Sequence, residues 1–245
     1  MTEWSRREVA MRALKSLDLT NLDDDCTAED VEDLAKRGFT PYGPVAAICV
    51  WPRYVKTAKA ALRDRHMPIC TVVNFPKGGT DCGPVVEETK QALLDGAEEI
   101  DLVAPYRRLL TGHPEVMRSM VERVRAACGR AKLKVILETG VLADREVIQQ
   151  ATAIAIAGGA DFIKTCTGKT PGKATVSASR AILRAIEVAE RPVGFKVSGG
   201  IRTVEDIGRH LSAVRDIMGD DWITPQNFRV GASSLLDDVL LAMRG

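Results

Sequence analysis

The chain has 245 residues, 45% of them hydrophobic, which is enough for one large core of the size of a single (β/α)8 barrel. Its 34 basic residues nearly balance its 33 acidic residues, and a net charge of +1 is too small to attract nucleic acid or an anionic membrane. No apolar run reaches the ~18 residues that span a bilayer. The first residues lack the apolar core of a signal peptide, so we expect a cytoplasmic protein.

The cysteines and histidines are spaced too widely to predict a metal site. No two of the six cysteines lie closer than twelve residues, which excludes a CxxC pair and zinc-ligand spacing. Reduced thiols are therefore expected, as in the cytosol. The three histidines, His66, His113 and His210, are far apart in the sequence, and we expect each on a surface helix or loop.

Apolar periodicity predicts strands and helices that alternate along the chain. A helix over 3–16 comes first, and a capping box from Thr27 to Asp30 starts a second helix that stops at Gly38. Strands are predicted at 17–22, 45–50, 69–75, 98–104, 133–138, within 161–169, at 193–198 and at 228–230. Helices are predicted after each of them, the later ones at 52–62, 85–95, 114–128 and 147–158, around Ile182, from Thr203 to Met218 and from Leu235.

Eight strands, each followed by a helix, favour a parallel sheet with right-handed crossovers. From residue 45 onward the strand starts recur at the spacing of a βα unit, with no linker between them. We therefore predict an α/β fold, a (β/α)8 barrel in a single domain over 1–245 with a short N-terminal helix. A doubly wound open sheet is the alternative, but no GxGxxG follows the first strand.

Polar residues alternate with apolar residues in several predicted strands. Asp101 and Lys196 each stand alone between apolar neighbours, and successive side chains of a strand point to opposite faces. The apolar set should pack against the helices, and the polar set should point into the barrel near the carboxyl ends of the strands. Lys134 and Glu138 lie on the same face of the predicted strand 133–138, and we expect a structural ion pair between them.

Two lysines occupy matching places on neighbouring strands, Lys164 and Lys196. A single lysine near a strand end normally extends into solvent, but two buried ammonium groups ~6 Å apart repel by about 2.8 kcal/mol at an effective dielectric of 20. This repulsion favours loss of one proton, and a neutral amine can attack a carbonyl to form a Schiff base. Asp101 is the best candidate for the proton transfers, or a counter-ion for the lysines.

Three loops after the last three strands carry glycines together with serine hydroxyls or cationic side chains. Glycines let backbone N–H groups approach an anion, and the following helix N-termini favour negative charge. This composition predicts a phosphate site formed by Gly168, Lys169, Gly199, Gly200, Arg202, Gly231, Ser233 and Ser234.

The two lysine segments, 161–169 and 195–203, resemble those of deoxyribose-phosphate aldolases, a family of class I aldolases. The resemblance continues through 17–20, 46–50, 74–76, 99–101, 133–140 and 228–235, in the same order and over almost the whole chain. It implies a (β/α)8 fold and reversible cleavage of 2-deoxy-D-ribose 5-phosphate into D-glyceraldehyde 3-phosphate and acetaldehyde. It also implies a role in deoxyribose phosphate catabolism and the absence of any metal or organic cofactor.

The resemblance also implies roles for particular residues. Lys164 would form the Schiff base, Lys196 would favour its deprotonation, and Asp101 would relay protons. Further residues would line the substrate site, namely Asp18, Thr20, Cys49, Lys134 and Thr167, and the three glycine-containing loops would surround the phosphate. Some family members supply a tyrosine from a C-terminal tail. This sequence ends at Gly245, directly after its last predicted helix, so that role is not carried over.

Two other interpretations use the same residues. A phosphate-binding barrel could isomerise or cyclise its substrate with lysine and aspartate as acid and base, without a covalent step. A sugar-phosphate sensor could keep the pocket and lack turnover, although the three candidate catalytic residues argue against it. The expected partners are a sugar phosphate and acetaldehyde, without nucleic acid or membrane, and a homo-oligomer is compatible with the sequence.

Overall fold

The computed structural model describes residues 4–63 and 65–244. Eight parallel strands form a barrel, namely β1 (Leu17–Asn21), β4 (Ala47–Val50), β5 (Ile69–Val73), β6 (Glu99–Val103), β7 (Lys132–Ile136), β8 (Phe162–Lys164), β9 (Gly194–Ser198) and β10 (Phe228–Ala232). They close in the order β1-β10-β9-β8-β7-β6-β5-β4. Because β1 pairs with both β10 and β4, the sheet has no free edge. The predicted barrel is confirmed, and the open-sheet alternative is wrong.

Helices surround this barrel and connect its strands. They are α1 (Arg6–Ser16), α2 (Ala28–Arg37), α3 (Val55–Leu62), α4 (Cys82–Asp95), α5 (Tyr106–Leu110), α6 (Pro114–Cys128), α7 (Thr139–Leu142), α8 (Arg145–Ala157), α9 (Val176–Glu187), α10 (Val204–Met218) and α11 (Leu235–Arg244). A small antiparallel pair, β2 (Phe39–Thr40) with β3 (Gly43–Pro44), was not predicted. A 3-10 turn over Pro52–Tyr54 precedes α3.

Local sequence explains where several helices begin. Thr27 accepts a hydrogen bond from the backbone N–H of Asp30, whose carboxylate accepts one in return, so the predicted capping box is confirmed. Thr203 and Asp206 form a second capping box at α10. In the described parts of the chain, no helix combines the length and apolarity needed to cross a bilayer.

Strand parity divides the apolar core from the polar barrel interior. Ile100 and Leu102 of β6 are fully buried in the core between the sheet and the helices. Residues of the other parity point inward, and near the amino ends of the strands Phe162 fills the space left by Gly194. Charged side chains occupy much of the remaining interior, from Glu99 at the start of β6 to Lys164 at the end of β8.

One prediction about the histidines is wrong. His66 and His113 are exposed, but His210 on α10 is only 4% exposed and its Nδ1 lies 2.8 Å from the Ser179 hydroxyl on α9. Burial lowers the pKa of His210 to about 4, so the ring is neutral at pH 7. The helical stripe of α10 passes through position 210, and the serine gives the ring the polar partner that it needs in the core.

Candidate active site

The strand register brings the three predicted catalytic residues together inside the barrel. Lys164 on β8 is directly opposite Lys196 on β9. The Nζ of Lys164 donates to Oδ2 of Asp101 at 2.8 Å, and the Nζ of Lys196 donates to the same oxygen at 2.9 Å. All three residues are at most 3% exposed. The two amines therefore crowd one carboxylate oxygen at the place predicted from the sequence.

Asp101 is ionised in this environment. Burial by itself would raise the pKa of its carboxyl group, but the amino groups of Lys134, Lys164 and Lys196 outweigh burial and hold that pKa well below its usual range. Burial likewise opposes the charge of Lys196, yet the carboxylates of Asp101 and Asp18 raise the pKa of Lys196 above its ordinary value. Lys196 therefore keeps its proton at neutral pH.

A second group of buried charges lies beneath Asp101. Arg229 on β10 donates through Nη1 to Asp18 at 2.6 Å and through Nη2 to Glu99 at 2.9 Å. Lys134 on β7 contacts Glu99 at 2.6 Å and Asp101 at 3.0 Å. Glu99 and Arg229 were not predicted from the sequence as members of this cluster. Glu99 has the same parity as Asp101 on β6, and Arg229 stands between the apolar residues Phe228 and Val230 of β10, which were the available signals.

The predicted ion pair between Lys134 and Glu138 is wrong. The strand β7 ends at Ile136, and Glu138 adopts a left-handed conformation with φ of 56°, which takes it out of the strand. Its carboxylate accepts a 2.6 Å hydrogen bond from the hydroxyl of Thr167. Glu138 therefore holds the loop after β8, whereas Lys134 joins the charges of the barrel interior.

A cavity of about 210 Å³ opens above Lys164 at the carboxyl ends of the strands. All eight predicted phosphate-site residues line it, together with Thr20, Thr167 and Ser198. Its wall also includes Leu22, Asp23, Ile201 and Ala232, which were not predicted from the sequence. The cavity thus connects the amine of Lys164 to three loops whose backbone N–H groups could bind an anion.

The glycines of these loops have conformations that other residues rarely adopt. Gly199 and Gly200 have φ of 100° and 82°, so both carry the chain through the left-handed region. Gly231 is needed for space, because a Cβ at this position would lie 3.0 Å from Cε of Lys196. The glycine at 231 therefore leaves room for the Lys196 side chain in the barrel interior.

The predicted substrate-site residues separate into two groups. Thr20 and Thr167 line the cavity, whereas Asp18, Cys49 and Lys134 are fully buried below it. Cys49 packs in a small apolar cluster with Cys70, which also contacts Asp101 at 3.1 Å. The buried group therefore supports the residues of the cavity floor from below.

Sulfur and carboxylate donors near Asp101 are close enough to be compared with a metal site. The donor atoms of Cys49, Cys70 and Asp101 lie within 4.8 Å of one another. However, ammonium groups already bind this cluster, since Lys134 lies 3.2 Å from the sulfur of Cys70 and 3.0 Å from Asp101. These groups repel a further cation, so we assign no metal here. That no cofactor takes part stays a prediction.

A closed (β/α)8 barrel with lysines beneath a glycine-lined cavity at its carboxyl end defines a class of small-molecule enzymes. The sequence profile of the DeoC/LacD family aldolases matches residues 12–239. The chain belongs to this aldolase family, which confirms the predicted enzyme class, a carbon–carbon lyase.

Individual relatives match over nearly the full length. A deoxyribose-phosphate aldolase of Agrobacterium fabrum (strain C58 / ATCC 33970) is 49% identical over 241 residues, which are 98% of this chain and 93% of that protein. The apo structure of a candidate deoxyribose-phosphate aldolase from Toxoplasma gondii ME49 has a TM-score of 0.89 at 27% identity and covers 98% of this chain and 97% of that one. A tetrameric deoxyribose phosphate aldolase from Aeropyrum pernix has a TM-score of 0.78 at 25% identity, with 98% and 93% coverage.

Proposed function

We propose that this aldolase reversibly cleaves 2-deoxy-D-ribose 5-phosphate to D-glyceraldehyde 3-phosphate and acetaldehyde through a Schiff base on Lys164. The observation that carries the proposal is the position of Lys164, which contacts Asp101 on one side and the cavity with its anion-binding loops on the other. The Agrobacterium fabrum relative supports the substrate. The same relationship supports a place in deoxyribose phosphate catabolism in the cytoplasm.

The cavity accommodates the two ends of such a substrate differently. The phosphate would lie against backbone N–H groups of Gly199, Gly200 and Gly231, with Lys169 and Arg202 supplying positive charge. The aldehyde carbon of the open-chain sugar would then lie at the Nζ of Lys164. Holding both ends fixes the distance between the reacting atoms, which is the main benefit of phosphate binding for the reaction.

The covalent step begins when the neutral amine of Lys164 attacks C1 of the sugar and water leaves, which forms an iminium ion. A base then takes the proton of the C3 hydroxyl, the C2–C3 bond breaks, and its electron pair moves to the iminium group to give an enamine. Glyceraldehyde 3-phosphate leaves first. Protonation of C2 and hydrolysis of the iminium release acetaldehyde and restore the amine.

We assign the proton transfers to Asp101 through water. Its carboxylate is ionised and bonds to both lysines, so it can accept a proton and return it without leaving its place. The ammonium group of Lys196 stabilises negative charge that develops near the amine. Asp101, Lys164 and Lys196 are all buried, so little water screens the interactions between them and each interaction is stronger.

Reductive trapping tests the covalent step directly. Borohydride added with 2-deoxy-D-ribose 5-phosphate should attach the reduced substrate or product carbon to the Nζ of Lys164, and peptide mass spectrometry should locate it there. A retro-aldol assay on an untreated aliquot should show turnover. Retro-aldol turnover without any adduct would refute the Schiff base. An isomerised or cyclised product without cleavage or adduct would favour the acid–base alternative, and no reaction of any kind would favour a sugar-phosphate sensor.

The phosphate assignment predicts a defect that depends on the substrate. Lys169→Gln should lower kcat/KM for the phosphorylated sugar about 10-fold or more, because one charge-assisted hydrogen bond to phosphate is lost. The same change should leave kcat/KM for unphosphorylated 2-deoxyribose nearly unchanged. Lys173→Gln is the matched control, since Lys173 is exposed on the same loop and does not line the cavity. Equal losses for the two sugars would refute the assignment.

The role of Lys196 predicts a change in pH dependence. Lys196→Leu should slow the reaction and move the pH optimum upward, because Lys164 then lacks the neighbouring positive charge that favours loss of its proton. Lys196→Arg keeps a positive charge and serves as the comparison. The measurement is kcat/KM against pH. A slower enzyme with an unchanged pH profile would assign some other function to Lys196.

We also propose that the chain forms a homo-oligomer. The support is the Aeropyrum pernix relative, which is described as tetrameric. Analytical ultracentrifugation of the purified chain gives the answer, and a monomer at micromolar concentration would contradict the proposal.

A further inference from the structure

The buried charges beneath the cavity form a closed ring of alternating sign. Arg229 contacts Asp18, Asp18 contacts Lys196, and Lys196 contacts Asp101. The ring returns through Lys134 and Glu99 to Arg229. Six charges therefore alternate around the barrel interior, and every neighbouring pair is within 3.0 Å.

The ring of six charged side chains has no net charge, since it contains three cations and three carboxylates. Lys164 is a seventh group outside it, and among the residues that the structure describes its ammonium group pairs only with the Oδ2 of Asp101, which Lys196 also uses. A proton on Lys164 therefore adds an unbalanced positive charge to a region where every ring member is at most 3% exposed. Burying an unbalanced charge is costly, so the neutral amine is favoured.

We propose that Arg229 and Glu99, far below the reacting atoms, are positioning residues that complete this ring and thereby leave Lys164 without a carboxylate of its own, in its reactive neutral form. The inference rests on the proposed Schiff base at Lys164. Arg229 and Glu99 would then influence the reaction at the carboxyl ends of the strands from the amino ends, and neither residue lines the cavity.

The other ring members hold their charges firmly. Burial opposes the charge of Arg229 and of Lys134, but their carboxylate neighbours outweigh burial and raise the pKa of each above its ordinary value. Burial also opposes ionisation of Glu99, and the adjacent Lys134 and Arg229 nevertheless lower its pKa. These directions are consistent with a ring that keeps all of its charges at neutral pH.

Other polar groups face the same region and do not change the balance of charge in the ring. Burial is the main reason that the pKa of the Cys70 thiol lies well above its ordinary value, so this thiol is uncharged. The hydrogen bond with Cys70 lowers the pKa of the Cys49 thiol, and burial opposes that shift. Lys132 approaches Glu99 at 3.6 Å, but its side chain is 42% exposed and solvent screens its charge. Lys169, Arg202 and Asp23 line the open cavity on the other side of Lys164.

Removing a cation from the ring and removing a carboxylate from it should have opposite effects on the protonation of Lys164. Arg229→Gln leaves Asp18 with Lys196 as its remaining cation, so Asp101 becomes available to Lys164 and favours its ammonium form. Glu99→Gln removes a carboxylate and makes the region more positive, which favours the neutral amine. One unit charge on the order of 10 Å away should move the pH dependence by about one unit.

The experiment measures the rate at which acetaldehyde and cyanoborohydride ethylate Lys164, from pH 5 to pH 9, with thermal melting of each variant as a check of folding. The acid limb of this rate should move up by about one pH unit in Arg229→Gln and down in Glu99→Gln. It should return toward the unsubstituted position in the double variant, where the ring has lost one charge of each sign. Arg229→Lys keeps the charge and should follow the unsubstituted enzyme.

The possible results distinguish the ring from the Schiff base itself. If acetaldehyde never labels Lys164 in the unsubstituted chain, the proposed covalent step is refuted. If labelling occurs and its pH limb is the same in all variants, the Schiff base stands and the ring proposal is wrong. Shifts of one direction in both single variants would also overturn it, because lost packing would then explain them. If Arg229→Gln fails to fold, Glu99→Gln still tests the expected downward shift, and Arg229→Lys still tests that a retained charge leaves the pH limb unchanged.

Discussion

Replacing Lys164 with alanine should abolish turnover, with a loss of kcat on the order of 10⁴-fold or more, because no other group supplies the amine that forms the iminium ion. The fold should survive, since Lys164 is bonded to Asp101 alone among the ring carboxylates and alanine leaves the six-membered ring intact. Circular dichroism and a melting curve report the fold, and a retro-aldol assay reports the rate.

Lys164→Arg is the sharper companion to this variant. Arginine keeps a positive charge at the same place and does not form an imine under these conditions. Both variants should therefore be inactive and should not react with borohydride and substrate at this position. Retention of most activity by either one, in a folded protein, would mean that Lys164 is not the nucleophile.

Replacing Asp101 with asparagine should damage both stability and activity. The carboxylate accepts from Lys134, Lys164 and Lys196, so its removal leaves buried positive charges with too few partners. Breaking such a buried network typically costs about 3–5 kcal/mol of unfolding free energy. Loss of the proton relay should also lower kcat by about 10²- to 10⁴-fold. Urea unfolding and steady-state kinetics measure the two effects separately.

The pH dependence of stability gives an independent check on Asp101. Its pKa in the folded protein is held well below the usual range, so its contribution to stability is fully present above the ordinary aspartate pKa. That contribution is lost as the pH falls from the ordinary aspartate pKa toward the lowered pKa of Asp101. The stability gap between the parent and Asp101→Asn should therefore be constant near pH 7 and shrink in acid.

An exposed carboxylate provides the control for this prediction. Asp33 pairs with Lys36 on the surface of α2, where both side chains are at least 67% exposed. Asp33→Asn should leave both the midpoint of unfolding and kcat unchanged within error. An Asp101→Asn protein with the same stability as this control would show that the barrel interior tolerates the unpaired charges, contrary to the network described above.

Local sequence patterns determined the architecture and the main reacting groups. The alternation of strands and helices predicted the barrel, since each pattern has its own period and each βα unit has a characteristic length. The same two-residue period predicted that Asp101 and Lys196 face inward. The glycines after β8 and β9 predicted loops of the cavity, because their left-handed backbone conformations favour glycine.

The tertiary structure decided which charged groups meet. The partner of Lys134 depends on the register between β6 and β7 and on the left-handed turn at Glu138, and neither is encoded in the spacing along one strand. Likewise, His210 has the periodicity of a helix face, but only the packing of α9 against α10 shows that it is buried beside Ser179. The ring from Asp18 to Arg229 combines residues separated by as many as 211 positions. A sequence fixes the parity and the chemistry of each residue, whereas closure of the barrel determines which distant residues become neighbours, because that requires all eight strand registers at once.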